Sequence, residues 1–331
     1  MYFYGYGREK GIDPYYYILY EAQLDRPNAV RLLTPENASH DVSISPSYRY
    51  MVDSYSTVSQ EPVNVVRNRN GKVIMTLEKP DLQPVYEMGW KAPERFKIKA
   101  ADGVTDLYGV MWKPADFDST KVYPIISNVY PGPFFEYVPT RFTINDVYNT
   151  RLAQLGFIVI TVGHRGGTPM RGKAYHTYGY NNMRDYPLAD DKYAIEQLAA
   201  RYPFIDATKV GIYGHSGGGF MSAAAICTYP DFYSAAVSSA GNHDNRIYNK
   251  GFVEIHFGVD EKVKTTKDSL GVESTMYDYS VRVRPNQQLV KNYKHGLLLF
   301  TGAMDKTVNP ANTLRLVDAL IKADKDLEMF V

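Results

Sequence analysis

Residues 210–220 read VGIYGHSGGGF, a serine set between glycines at the end of a short apolar run. VGIY has the length and composition of a buried strand, and GFMSAAAICTY beyond the glycines reads as a small-residue helix. Gly214, Ser216 and Gly218 thus form G-x-S-x-G at a strand-to-helix turn. So tight a turn strains the backbone of the serine, and the flanking glycines remove Cβ atoms that would collide there. It lifts the hydroxyl above the sheet and sets the Gly217 N–H at a helix N-terminus, where it can stabilise negative charge on oxygen. Ser216 is therefore the candidate nucleophile and Gly217 a candidate oxyanion donor. The competing reading, a turn that merely connects two elements, leaves the match of strand, serine and helix unexplained.

Outward from this turn, strands and helices alternate. LYGVMWKP, PIISNVYPG, FIVITV, YSAAVSSAG, GLLLFTG and LEMFV read as strands. RLAQLGF, PLADDKYAIEQLAARY, QQLVKNY and PANTLRLVDALIKAD read as helical segments. That order implies an α/β fold: a mostly parallel sheet covered by helices on both faces, over residues 85–331. Residues 252–285 lack clear periodicity and are expected to leave this core. Residues 1–84 differ. YFYGYG, YYYILYEAQL, HDVSISP, YRYMVDSYS, PVNVVRN and KVIMTLE are β-prone runs separated by turn residues at GIDP, DRPN, SPSY and NRNG. They amount to roughly one and a half four-stranded units, too few to close a β-propeller.

A serine hydroxyl needs a base to take its proton and an acid to orient that base. On this fold the chain order is serine, acid, histidine. Asp305 in GLLLFTGAMDKTVNP follows an apolar strand at the edge where catalytic groups gather, and is the candidate acid. All seven histidines (His40, His164, His176, His215, His243, His256 and His295) precede it. The expectation is that the sequence stops inside the strand leading to the base, so that the chain as given is inactive.

Composition narrows the alternatives. A net charge of +1 argues against nucleic acid or an anionic membrane as partner. A single cysteine, Cys227, excludes an internal disulfide framework and a Cys/His zinc cluster. Cys227 lies in an apolar stretch and is expected to be a buried packing thiol. No apolar run is long enough to span a bilayer. No metal or organic cofactor is implied; GHRGGTPMRG does not open a nucleotide-binding helix. Arg165 there is expected to pair with Asp190 or Asp191 and hold its loop.

HDVSISPSYRYMVDSYS, VYPGP, GHRGG, IDATKVGIYGHSGGGF and TGAMDKTVNPANT together resemble the prolyl oligopeptidase family of serine peptidases, in particular its dipeptidyl peptidase IV-like branch. The resemblance covers nearly the whole chain. It implies an α/β-hydrolase domain preceded by a propeller, of which residues 1–84 are similar to the last strands. It further implies short peptides as substrates, export from the cytosol, and homodimerisation of the intact protein. Carried over by position, Ser216 and Asp305 match nucleophile and acid, and Tyr130 in NVYPGP matches a tyrosine that completes the oxyanion hole with Gly217. Tyr248 and Thr307 match substrate-pocket positions, Thr307 standing where the family has an asparagine. Gly217 replaces a bulky aromatic of the best-known dipeptidyl peptidases. An esterase using the same triad and a non-catalytic peptide binder are the rival readings.

Overall fold

The computed structural model describes residues 1–26 and 28–331, the side chain of Val147 excepted; Pro27, in the turn expected at DRPN, lies outside the described residues. The first seven strands form two antiparallel sheets. β1 (Tyr2–Gly5), β2 (Ile18–Ala22) and β3 (Val30–Leu32) make one. β4 (Ser39–Ile44), β5 (Tyr50–Ser56), β6 (Val63–Asn68) and β7 (Val73–Thr76) make the other, in meander order. Asn70-Gly71 joins β6 to β7, with Gly71 at φ 85°. Val30–Leu32 carries no strand signal strong enough to read from sequence and pairs only because β2 offers it an edge.

After α1 (Gln83–Glu87) the chain builds an eight-stranded sheet. Its strands are β8 (Glu94–Lys99), β9 (Asp106–Trp112), β10 (Tyr123–Asn128), β11 (Ile158–Val162), β12 (Ile205–His215) and β13 (Tyr233–Ser239), followed by β16 (Leu297–Phe300) and β17 (Glu328–Phe330). β14 (Val259–Lys267) and β15 (Glu273–Val281) pair separately. The order across the sheet is β17-β16-β13-β12-β10-β11-β9-β8. From β17 to β11 the neighbours are parallel; β9 and β8 are antiparallel. All five residues of β11 are buried, the continuous apolar run of a strand covered on both faces.

The covering helices are α2 (Val147–Gln154), α3 (Lys173–Thr177), α4 (Asp185–Arg201), α5 (Gly217–Thr228), α6 (Lys250–His256) and α7 (Ala311–Lys322). Leu188, Ile195 and Leu198 of α4, Ala223–Cys227 of α5 and Leu316 and Leu320 of α7 close on the sheet residues Ile125, Ile160, Ile212 and Leu299. Cys227 is buried among them. QQLVKNY, expected as a helix, instead forms two short 3-10 turns, Asn286–Gln288 and Val290–Asn292. Pro285 at its head and the anchoring of Asn286 side-chain amide to Phe220 O fix each turn separately.

Two charged contacts tie the antiparallel sheets to this core. Arg95 on β8 donates to both carboxylate oxygens of Asp13, at 2.8 and 3.0 Å. Arg141 donates to Asp41 and to the His40 carbonyl. Among the described residues no helix is long and apolar enough to cross a membrane.

Candidate active site

β12 ends at His215 and α5 begins at Gly217, so a single residue makes the turn. Ser216 takes it at φ 56°, ψ −120°, a conformation that costs a residue with a Cβ about 1–3 kcal/mol. The surrounding backbone holds it there: Ser216 N–H donates to Ser239 O at 2.8 Å, and Phe220 N–H to Ser216 O at 3.0 Å. A serine at the head of a helix ordinarily spends its hydroxyl on a first-turn N–H. Ser216 makes no such bond. The flanking glycines are required by close approach, because a Cβ on Gly214 or Gly218 would lie 2.6 or 2.1 Å from Val129 O. The Gly217 N–H, first in α5, has no acceptor within the helix.

Ser216 opens on a pocket of about 60 Å³ walled by Tyr130, Pro131, Arg184, Gly217, Tyr248 and Phe252, among others. The fold thus brings four of the six residues singled out from sequence around one space: Ser216, Gly217, Tyr130 and Tyr248. The Tyr130 ring stacks on Phe135 at 5.1 Å and meets the edge of Tyr137. Burial, then the neighbouring phenols Tyr137 and Tyr248, raise its pKa. Tyr130 is consequently a neutral O–H donor at physiological pH. At Gly217 an added Cβ would find only ordinary contacts, 3.6 Å from Pro131 and 3.8 Å from Tyr130, so a small side chain fits there without displacing a neighbour.

Asp305 and Thr307 lie outside that wall. Asp305 sits in the loop after β16, where its Oδ1 accepts the N–H groups of Thr307 at 2.8 Å and Val308 at 2.9 Å. Among the described residues its Oδ2 takes no hydrogen bond. Its charge reaches the pocket through Tyr248, whose phenol pKa is raised first by burial and then by Asp305. The exposed Thr307 gives Asp305 a backbone N–H.

None of the seven histidines makes a hydrogen bond to Ser216 among the described residues. His40 bonds Asp53, His164 approaches Asp191 at 3.5 Å, and His176 bonds Pro133 O. His215 Nδ1 is 3.0 Å from Ser239 Oγ, turned aside from the serine it precedes. His243 is buried against Asn286 and Ser238, and burial, followed by the Arg184 charge, pushes its pKa down to about 3. His256 packs against Phe252, the two rings tilted at 53°. His295 is exposed just before β16, at the end of that strand opposite Asp305.

Arg165 forms a buried forked pair with Asp190 of α4 (2.7 Å at the closest) and reaches Asp102 at 3.0 Å. Asp191 instead accepts from Ser127 Oγ and Tyr233 OH inside the core.

Two residues near the site carry no sequence signal. Glu136 lies between Gly163 and Gly167, accepting the hydroxyls of Tyr15 and Tyr175 and the His164 N–H; burial raises its pKa. Tyr15 comes from the N-terminal sheets, so this carboxyl pins the loop after Tyr130 to them. Arg184 places a buried guanidinium under the pocket, over the Phe220 ring and bonded to Asp185, Arg284 O and Asn286. Contacts among side chains so far apart in sequence leave no local pattern.

Among the described residues, Glu36, His40 and Asp53 are the grouping close enough to share a metal ion. The Arg67 guanidinium already donates to Asp53 at 2.8 Å and Glu36 at 2.7 Å, supplying the positive charge a cation would bring.

Comparison with known proteins identifies the family and the fold. The prolyl oligopeptidase family model matches residues 145–331. Human dipeptidyl peptidase 8 is 27% identical over 330 residues, covering 94% of this chain and 34% of its own length. A crystal structure assigned as a dipeptidyl aminopeptidase IV from Bacteroides ovatus superposes with a TM-score of 0.77 at 25% identity, over 95% of this chain and 44% of that one. Dipeptidyl peptidase 4 of Porphyromonas gingivalis shares the fold, with a TM-score of 0.77 at 22% identity over 96% of this chain and 43% of that one. The chain spans about a third of the length of the curated relatives it matches.

Proposed function

Because the chain belongs to the prolyl oligopeptidase family, we propose that it carries the nucleophile, the acid and the oxyanion donors of a serine peptidase acting on short peptides. Residues 1–84 are then the closing strands of a propeller and residues 85–331 the body of the hydrolase domain. Ser216 Oγ attacks the scissile carbonyl while an imidazole supplied by residues following Val331 takes its proton. Asp305 orients that imidazole through its uncommitted Oδ2. The oxygen that gains charge is held by the Tyr130 hydroxyl and the Gly217 N–H, both donors before the substrate arrives, so little reorganisation is needed. The bond to the leaving amine breaks as the imidazole returns the proton to it, and water then releases the acyl group from Ser216. Tyr248 and Phe252 give the acyl pocket aromatic walls suited to a compact apolar side chain, and Thr307, beyond that wall, is the further candidate for substrate contact.

The observation that carries this reading is Ser216 itself: a strained, uncapped serine facing a pocket shared with Tyr130. In the full-length protein a fluorophosphonate probe is expected to label Ser216, with labelling lost in Ser216→Ala and turnover of X-Pro amides lost with it. Tyr130→Phe is expected to lower kcat by about 10²–10³-fold. Residues 1–331 alone are expected to stay unlabelled. A full-length protein that resists the probe, or that hydrolyses simple esters but no amide, overturns the peptidase reading.

A further inference from the structure

Four residues after Tyr130, on the loop from β10 to α2, the chain reads Phe134-Phe135-Glu136-Tyr137. The two residues flanking Glu136 both grip the Tyr130 ring. Phe135 stacks on it with centroids 5.1 Å apart and planes 4° from parallel, and Tyr137 meets it edge-on at 5.1 Å. Yet Phe135 and Tyr137 are 46% and 49% exposed, so burial of their own does little to hold them in place. The side chain between them points the other way, into the protein.

The Glu136 carboxyl anchors the segment. Its Oε1 accepts the Tyr175 hydroxyl at 2.8 Å and the His164 N–H at 3.0 Å, and its Oε2 accepts the Tyr15 hydroxyl. Gly163 and Gly167 make room for it, since a Cβ on either would lie 2.6 or 2.5 Å from a carboxyl oxygen. The Arg171 guanidinium, over the Tyr15 and Tyr175 rings at 5.3 and 4.7 Å, brings positive charge beside it. Among the described residues, Glu136 makes every hydrogen bond that residues 134–138 possess. A polar network with each member satisfied holds one geometry. Its donors come from three places: Tyr15 from the N-terminal sheets, His164 from the loop after β11, and Tyr175 from α3.

We propose that Glu136 is a positioning residue for catalysis: anchored to Tyr15, His164 and Tyr175, it fixes the Phe135 and Tyr137 rings and, through them, the direction of the Tyr130 hydroxyl in the pocket shared with Ser216. The inference rests on the reading of Tyr130 as an oxyanion donor. It makes the N-terminal sheets part of the catalytic apparatus, because one of the three donors is theirs.

Steady-state kinetics of the full-length protein on an X-Pro amide test it through a double-mutant cycle with Tyr130. Glu136→Ala is expected to lower kcat by about 10–10²-fold with KM little changed, because an oxyanion contact acts in the transition state and a misplacement of about 1 Å forfeits it. Glu136→Gln, which keeps an acceptor oxygen in the cradle, is expected to recover most of that loss. Tyr15→Phe removes one hydroxyl and keeps its ring; it is expected to lower kcat by a smaller factor, and it carries the cycle should the alanine variant not fold. On a Tyr130→Phe background neither Glu136→Ala nor Tyr15→Phe is expected to lower kcat further, since no hydroxyl remains to be aimed. Losses that multiply across the two sites, a raised KM at constant kcat, a glutamine variant no better than alanine, or wild-type kinetics in both Glu136→Ala and Tyr15→Phe overturn the proposal and leave the oxyanion reading standing. A Tyr130→Phe enzyme with undiminished kcat removes the oxyanion reading itself, and the proposal with it.

Discussion

If Ser216 pays for its position with backbone strain, glycine in its place should be more stable than alanine. Both variants delete the hydroxyl, and that hydroxyl makes no cap to lose. They differ in the Cβ held at φ 56°, ψ −120°. Relief of that strain is worth about 1–3 kcal/mol. Glycine returns about 0.4–1 kcal/mol of it through the greater freedom of the unfolded chain. The balance leaves Ser216→Gly more stable than Ser216→Ala by about 1 kcal/mol, a rise of about 2 °C in thermal midpoint for a chain of this size. Thermal and urea denaturation of the two variants, side by side, measure it. An alanine variant as stable as glycine, or more so, would refute the strained elbow and with it the reason for the uncapped hydroxyl.

Three further outcomes are expected. Gly218→Ala, which forces a Cβ to 2.1 Å from Val129 O, should destabilise by about 1–3 kcal/mol or more, whereas Gly217→Ala, with contacts no closer than 3.6 Å, should fold normally; denaturation midpoints distinguish them. Asp190→Asn leaves the buried Arg165 guanidinium without its forked partner and should cost about 3–5 kcal/mol, read from urea unfolding. His243 remains neutral when folded down to about pH 3, while the unfolded chain takes up a proton below about 6.5. Unfolding is therefore favoured progressively as pH falls through that window, and midpoints measured across it should fall less steeply in His243→Gln.

The strained turn was legible in ten residues because everything that makes it is local: an apolar strand, glycines wherever a Cβ collides, and small residues opening a helix. Asp305 was legible for the same reason, since its position after an apolar strand is a property of neighbours in the chain. The alternation of strands and helices likewise specifies a mostly parallel sheet, through the covering each strand requires on both faces. What lay beyond reach was whatever depends on elements meeting from far apart. Sequence placed Tyr248 near the pocket only by resemblance; folding puts it, Tyr130 and Arg184 on one wall through three separate crossovers. Glu136 reads as an ordinary loop residue until Tyr15, 121 positions earlier, donates to it. The hairpin at 259–281 escaped because its alternation is amphipathic without a core to face: the pattern that identifies a strand is burial on one side, and here both sides meet solvent. Local sterics and hydrophobic period determined the sheet and the strained serine at its edge, while the pocket walls, the buried charges and the outer hairpin were decided by tertiary contact alone.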